Sequence, residues 1–157
     1  MNIKLIVIGK TDNKELNSLT NSYIKRLQFY IKFNLEVIPD LKNAKNLSES
    51  QQKEKEGKLI LSTIEKSDVL IVLDENGKHY GSVDFSEVLQ KHMNSGIKQL
   101  IFVIGGPYGF SPEVYDRANS KLALSKMTFS HQMIRLFFVE QLYRGFTILK
   151  NEPYHHR

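Results

Sequence analysis

The 157-residue sequence contains no cysteine, which excludes disulfide bonds and thiolate metal sites. It also lacks any run of the roughly 18 apolar residues that a membrane-spanning helix needs. The apolar run at residues 3–8 is too short for a signal peptide and has no small-residue cleavage pattern, so we predict a first strand there. These absences favour a cytoplasmic protein with no membrane partner.

Internal repeats, low-complexity tracts and linker-like segments are also missing. A length of 157 residues suits one domain. Hydrophobic residues make up 41% and charged residues 25% of the chain, values typical of a globular protein with a substantial core. We therefore predict a single domain over residues 1–157.

Positive charge is concentrated near the C-terminus. The net charge is +5, of which residues 120–157 carry +4 and residues 1–119 only +1. Binding of a polyanion such as RNA is one interpretation, because neutralised phosphates release counterions. A solvated basic surface is the other, and charge alone leaves both open.

Apolar strand patterns alternate with helical patterns along the chain. Strands that are apolar on both faces are typical of a mostly parallel sheet flanked by helices, so the predicted fold class is α/β. Capping boxes at 48–51 and 84–87, and the Ser111-Pro112 pair, predict three helix starts. The predicted strands are 3–8, 35–38, 69–73, 99–104 and 121–124, and the predicted helices are roughly 13–32, 48–66, 84–94, 111–119 and 130–150.

The last predicted helix is unusually apolar. Between residues 133 and 143 only Arg135, Glu140 and Gln141 interrupt the apolar run. A helix that is apolar nearly all round must be buried on nearly all sides. We therefore predict a homodimer through this C-terminal helix, and a central helix within a monomer is the alternative.

A glycine-rich loop follows the predicted strand 99–104. The loop, Gly105-Gly-Pro-Tyr-Gly109, matches neither the phosphate-binding P-loop nor the dinucleotide-binding fingerprint. Because the loop lies between a parallel strand and a capped helix, we predict that its main chain holds a ligand. Leu73 and the turn 124–129 would meet the loop at the same pocket. A purely structural glycine turn is the alternative.

Two candidate side chains begin the last helix. His131 lies near the N-terminus, where the helix dipole favours a neutral imidazole that could accept a proton or contact a base; a histidine that only caps the helix fits equally. Arg135 follows among apolar neighbours, where an unpaired charge is costly. We expect it to contact a carboxylate or a phosphate, with Glu140 of a second copy as the alternative partner.

The chain ends in Tyr154-His155-His156-Arg157. Such a terminus is ordinarily frayed, but an aromatic ring, two imidazoles and a guanidinium also suit the binding of a nucleobase. The spacing of the histidines is poor for zinc and no carboxylate lies among them. We therefore predict no metal site.

Together these motifs resemble the bacterial 23S rRNA (pseudouridine-1915-N3)-methyltransferase family, of the SPOUT class. The resemblance covers the whole chain. It rests on Phe102–Gly109, the turn 124–129, His131, Arg135, Glu140–Arg144 and the Tyr154-His155 pair.

The resemblance implies a SPOUT-type fold with a C-terminal trefoil knot, a homodimer whose sites combine both subunits, and a 23S rRNA substrate in the ribosome. It implies the cofactor S-adenosyl-L-methionine and catalytic roles for His131, Arg135, Tyr154 and His155, with Arg135 stabilising charge or holding a phosphate. By motif, the cofactor contacts fall on Leu73, Gly105, Leu124, Ser125, Lys126, Met127, Thr128 and Phe129.

Two positions depart from the family pattern. Ser130 stands where the family usually has proline, and His156 intervenes between His155 and the basic Arg157. Two further hypotheses compete with the methyltransferase. One is a non-catalytic RNA-binding or ribosome-binding module, and the other is a nucleotide- or flavin-dependent oxidoreductase, which the missing fingerprint disfavours.

Overall fold

The computed structural model describes residues 1–156 and contains one five-stranded sheet. All strand pairs are parallel, and the strand order is β2–β1–β4–β3–β5. The strands are β1 (Asn2–Ile8), β2 (Phe33–Ile38), β3 (Val69–His79), β4 (Gln99–Ile104) and β5 (Ser120–Ala123). The predicted α/β class with a parallel sheet is confirmed.

Within residues 1–156, five α-helices connect and cover the strands. They are α1 (Lys14–Leu27), α2 (Glu49–Ser62), α3 (Ser82–Asn94), α4 (Pro112–Arg117) and α5 (His131–Leu149), with a short 3-10 turn at Ala44–Asn46. No helix within residues 1–156 is long and apolar enough to cross a membrane.

Alternate residues of each strand enter two separate cores, because successive side chains in a strand point to opposite faces. Leu5 and Val7 pack with α1, α3 and α5, whereas Ile6 and Ile8 pack on the face covered by α2 and α4. The sheet is therefore buried on both sides, which explains the continuous apolar runs in its strands.

Two helices end earlier than predicted. Helix α1 ends at Leu27, not near residue 32, because the amides of Tyr30 and Ile31 both turn back to the Leu27 carbonyl. The helical spacing continues to Tyr30 only because this ring packs on Tyr143 and Phe146 from the following turn. Helix α2 likewise ends at Ser62, before the predicted boundary near residue 66.

Strand β3 runs to His79, six residues beyond its predicted end. Leu122 of β5 pairs with both Leu73 and Lys78, so residues 74–77 leave the ladder and the strand resumes. Gly77 is needed at this crossing, because a Cβ there would lie 2.7 Å from the Leu122 nitrogen. The expelled segment 74–77 becomes available to line a site.

Two of the three predicted helix starts are confirmed. Ser48 and Gln51 form a reciprocal capping box, and Ser111 caps α4 with Pro112 at its first position. The capping box predicted at 84–87 is wrong. Helix α3 begins at Ser82 after Gly81, whose carbonyl accepts from the Phe85 amide without any side-chain cap.

Helix α5 is largely buried within its own chain. It lies on the sheet between α1 and α3, and Phe138, Val139 and Leu142 are fully buried there. The same chain therefore supplies much of the burial that the sequence analysis assigned to a second copy, and the homodimer through this helix stays a prediction. The larger apolar side chains that α5 leaves exposed are Met133 and Phe137, at 42% and 37%.

Candidate functional site

A cavity of about 380 Å³ opens at the carboxyl ends of β3, β4 and β5. Ligands of open α/β sheets bind at this edge, and the volume lies in the range of small-molecule sites. Its walls are residues 73–76, 104–110, 122–125 and 127–129, together with Tyr115, His131 and Ile134.

The structure gathers most of the predicted cofactor residues around this cavity. Those that line it are Leu73, Gly105, Leu124, Ser125, Met127, Thr128 and Phe129. Lys126 does not line it and is exposed. The Ser125 hydroxyl accepts from the Met127 amide at 3.0 Å, which forms a local turn around Lys126.

The glycine loop forms a tight, bare wall. The Gly109 amide donates to the Gly106 carbonyl at 3.1 Å, and Gly109 has a φ of +83°, a conformation that favours glycine. Behind the loop, the Phe110 ring lies 3.0 Å from where a Gly105 Cβ would stand. Main chain can therefore approach a ligand closely here.

The expelled segment of β3 brings two carboxylates to the cavity. Asp74 is half-buried; it accepts from the Tyr115 hydroxyl through Oδ2 and from the Asn76 amide, at 2.8 Å, through Oδ1. Burial, and then the Asp74 carboxylate, raise the pKa of Tyr115, so that phenol stays a donor. Glu75 accepts from the Thr128 hydroxyl at 3.1 Å. No Lys or Arg lines this cavity among the described residues.

His131 lies at the rim of the cavity as the first residue of α5. Ser130 caps the helix by accepting from the Met133 amide at 3.2 Å. The neighbouring Gln132 accepts from the Asn13 amide, which ties the start of α5 to the loop after β1. The predicted position of His131 at the N-terminus of the last helix is confirmed, and its imidazole is exposed.

Arg135 has partners other than those expected. It is 3% exposed, and its guanidinium donates to the carbonyls of Ile8 and Gly9 at 2.6 and 2.9 Å, and to the Thr11 hydroxyl at 3.0 Å. The expected carboxylate partner is therefore not found within residues 1–156, and the phosphate partner stays a prediction. Arg135 does not line the cavity; it fastens α5 to the end of β1.

The C-terminal tail folds back on α1 and α5. The Tyr154 hydroxyl donates to Glu140 at 2.8 Å and lies 3.2 Å from the Tyr23 hydroxyl. Burial, followed by these hydrogen bonds, raises the pKa of Tyr154, so it is a neutral donor and not a proton acceptor at neutral pH. Arg144, which also pairs with Glu140, donates to Nδ1 of His155 at 3.1 Å. Because arginine can only donate, Nδ1 accepts in this contact.

Within one chain, this tail is separated from the cavity. Glu140 lies nine residues along α5 from His131, a distance of about 13 Å at the helical rise of 1.5 Å per residue. Tyr154 and His155 do not line the cavity. The cavity and the tail are thus two separate groups of candidate residues within one chain. Arg157, the other candidate for the basic role in the tail, lies outside the described residues.

The family model described as "Predicted SPOUT methyltransferase" matches residues 1–155. The chain belongs to the SPOUT methyltransferase family. Similar curated proteins are named ribosomal RNA large subunit methyltransferase H. They include those of Flavobacterium johnsoniae, 72% identical over 157 residues and the full length of both chains, and Parabacteroides distasonis, 60% identical over 156 residues and 99% of both.

A remote structural similarity relates this SPOUT chain to the SpoU methyltransferase AviRb of Streptomyces viridochromogenes. The TM-score is 0.46 at 8% identity, covering 96% of this chain and 61% of that one. Within residues 1–156 of the SPOUT chain, no group of three or more His, Asp or Glu side chains could hold a metal ion.

A buried carboxyl lies behind the SPOUT glycine loop. Glu56 of α2 is 4% exposed, and its Oε2 accepts from Gln52 at 3.3 Å. Its Oε1 has no hydrogen-bond partner in the part of the chain that the structure describes. A Cβ on Gly106 would lie 2.6 Å from Oε1, so only glycine lets the loop rest on this carboxyl. Burial, and to a smaller extent Asp40, raise the pKa of Glu56 above its ordinary value of 4.5.

Replacing Glu56 with glutamine should stabilise the fold at neutral pH. A carboxyl whose folded pKa is raised stabilises the fold fully below pH 4.5, and this contribution is lost as pH rises through the folded pKa. Urea unfolding from pH 4 to pH 8 should therefore show a decline in unfolding free energy that Glu56→Gln reduces. The exposed Glu54→Gln on the same helix is the control, and equal declines in all three proteins would contradict the prediction.

Proposed function

We propose that this protein transfers a methyl group from S-adenosylmethionine to N3 of a pseudouridine in 23S rRNA. Its relatives' names support a ribosomal RNA large-subunit substrate, and the family supports methyl transfer. The observation that carries the proposal is the cavity at the carboxyl ends of β3, β4 and β5, with a main-chain wall and two carboxylates.

The lining of the cavity fits this cofactor. S-adenosylmethionine carries an ammonium group and ribose hydroxyls, which donate hydrogen bonds to carboxylates and carbonyls, and a positive sulfonium, which the same oxygens attract electrostatically. Asp74 and Glu75 supply the carboxylates, and Gly105–Gly109 supplies the close main chain. A phosphate-bearing cofactor would meet acceptors and no Lys or Arg among the described lining residues, which disfavours the nucleotide-dependent oxidoreductase.

Bound S-adenosylmethionine supplies an electrophilic methyl group, so the protein's task concerns the nucleophile. N3 of the uracil ring belongs to an imide and must lose a proton before it can attack. His131 is exposed at the cavity rim, which supports assigning it to accept or orient that proton. Tyr154 and His155 are assigned to holding the base, and Arg135 to positioning α5, because its guanidinium is occupied by β1.

A homodimer would bring the cavity of one chain and the tail of the other together. The tail of one chain is separated from that chain's own cavity, whereas a second copy could present its Tyr154 and His155 there. Met127, which lines the cavity, is 76% exposed, and Met133 and Phe137, four residues apart on α5, are exposed by 42% and 37%. We call these three residues the apolar patch. Their exposure supports an interface at the start of this helix.

A charge placed in this apolar patch should dissociate the dimer. We expect Phe137→Asp to raise the dimer dissociation constant by at least about 30-fold, because the interface would then bury an unpaired carboxylate. Sedimentation at several concentrations measures this constant. Leu59→Ala, which alters a similarly exposed apolar residue on α2, is the control. A monomeric wild-type protein with full methyl transfer would overturn the proposed assembly.

The decisive experiment is transfer of labelled methyl to ribosomes that lack the modification, with naked rRNA in parallel. Label on N3 of one large-subunit pseudouridine, identified by nuclease digestion and mass spectrometry, would support the reaction and reveal which substrate form is used. Saturable binding of S-adenosylmethionine without transfer would point to another substrate. RNA binding without cofactor binding would favour the non-catalytic module.

Three further expectations from the sequence analysis stay predictions. They are the C-terminal trefoil knot, a single domain over residues 1–157 and a cytoplasmic location, where the ribosome would be met. Limited proteolysis checks the second, because one domain should yield a single resistant core and no separable halves.

A further inference from the structure

The end of α1 and the adjoining sheet edge carry an exposed aromatic ring among cations. Phe29 is 90% exposed, although its amide bonds to the Arg26 carbonyl at 3.2 Å and therefore belongs to an ordered turn. Four exposed cations lie on the same end of the fold: Lys25, Arg26, Lys32 and Lys98. We call Phe29 and these four residues the basic edge.

Sheet register fixes the position of the two outer lysines. The Lys32 carbonyl accepts from the Ile3 amide at 2.9 Å, and the Lys98 carbonyl accepts from the Asn2 amide at 2.8 Å. Lys32 and Lys98 thus flank the start of β1 on neighbouring strands, about 10 Å apart at the usual strand spacing. This separation suits successive contacts with one phosphate backbone.

The cations of the basic edge are not neutralised within the described chain. The ion pairs of residues 1–156 join Lys4 to Glu36 and Arg144 to Glu140. Glu152, the acid nearest to this edge in the tail, accepts instead from Tyr30. The positive charge of the edge is therefore available to a polyanion.

The basic edge is continuous with the tail. The Arg26 guanidinium lies 5.1 Å from the Tyr23 ring centre and 5.9 Å from that of Tyr143, and these rings contact Tyr154. A polynucleotide whose base is held by Tyr154 and His155 would thus extend along α1 toward Lys25 and Phe29. An isolated ring among cations suits base stacking, whereas a protein interface has a clustered apolar core.

We propose that the basic edge binds rRNA next to the tail, with the lysines on phosphates and Phe29 stacked on an unpaired base. This proposal rests on the proposed function for the identity of the RNA. It adds an RNA-binding surface outside the cavity and the tail. This surface lies at the end of the sheet opposite the cofactor pocket of the same chain. The edge would set affinity for RNA without touching the reacting atoms.

The test measures binding to unmodified ribosomes and to a 23S rRNA fragment by filter binding at several salt concentrations. Phe29→Ala should weaken binding about fivefold to 100-fold, and Phe29→Trp should restore it. Lys25→Ala/Lys32→Ala should lower the slope of log affinity against log salt by about two. S-adenosylmethionine binding, measured by calorimetry, should be unchanged in all of them.

Matched controls lie on α2, which covers the opposite face of the sheet. Leu59→Ala and Lys55→Ala/Lys58→Ala remove an exposed apolar side chain and two exposed lysines, and should leave RNA affinity and salt slope unchanged. If the edge variants have the same RNA affinity and salt slope as these controls while the wild type methylates rRNA, the proposal that the basic edge binds RNA is wrong and the proposed function stands. If the edge variants weaken RNA binding but the wild type transfers no methyl, the edge stands and the proposed function fails. A wild type that binds no RNA overturns both.

Discussion

Deleting Tyr154–Arg157 should reduce methyl transfer by at least about 100-fold, in the range that positioned catalytic groups supply. Binding of S-adenosylmethionine should persist, because no residue of 151–156 lines the cavity. Single-turnover transfer to unmodified ribosomes measures the first quantity, and calorimetry measures the second. Lys150→Ala, an exposed change just before the tail, is the control.

Mixing two inactive variants, the tail deletion and Asp74→Lys, would show whether the cavity of one subunit and the tail of the other form one active site. The tail-deletion variant keeps its cavity. The Asp74→Lys variant keeps its tail, but its new ammonium group would repel the positively charged S-adenosylmethionine from the cavity. Random exchange of subunits should then restore about a quarter of wild-type activity, since half of the dimers hold one complete site. A mixture as inactive as its components would show that each chain uses its own tail.

Replacing Arg135 with alanine should destabilise the protein by about 2–5 kcal/mol. The change leaves the carbonyls of Ile8 and Gly9 without a donor, and each buried unsatisfied carbonyl costs about 1–3 kcal/mol. The melting temperature should fall by about 5–15 °C for a chain of this size. Urea denaturation measures the loss, and the exposed Lys126→Ala should show almost none.

The same variant separates two roles for Arg135. A stable Arg135→Ala protein that binds cofactor but transfers no methyl would restore the catalytic role that the resemblance implies. Arg135→Lys should fall between wild type and alanine, because one ammonium group cannot reproduce the planar fork that reaches both carbonyls. A loss of stability in proportion to these lost bonds supports the positioning role.

The strands and most of the cavity were predictable because they depend on local pattern. Apolar runs identify the five strands, and the glycine turn after β4 predicts main chain at the shared carboxyl edge. The contribution of the Asp74 and Glu75 carboxylates to the cavity was not predictable in the same way. Asp74 follows an apparent strand end, and only pairing with β5 shows that residues 74–77 are expelled and that β3 continues.

The partners of Arg135 and the length of α1 depend on contacts distant in sequence. A buried arginine signals that acceptors exist, but the chain offers many carboxylates and every residue offers a carbonyl. Nothing local identifies the end of β1 as the acceptor. Tyr30 shows the converse error, because an apolar ring at helical spacing can pack on α5 from a turn just as well as from a helix.

The contact between Arg135 and Gly9 spans 126 residues, and this has a consequence during synthesis on the ribosome. At about 5–20 residues per second, the ribosome needs about 6–25 s to add the intervening chain. Over most of that time β1 can pair only with β2, since β4 is made later and the guanidinium later still. The first strand of this sheet to be translated is therefore among the last to be completed. A nascent chain stalled before β4 would present an apolar, half-paired strand of the kind that chaperones bind and that promotes aggregation.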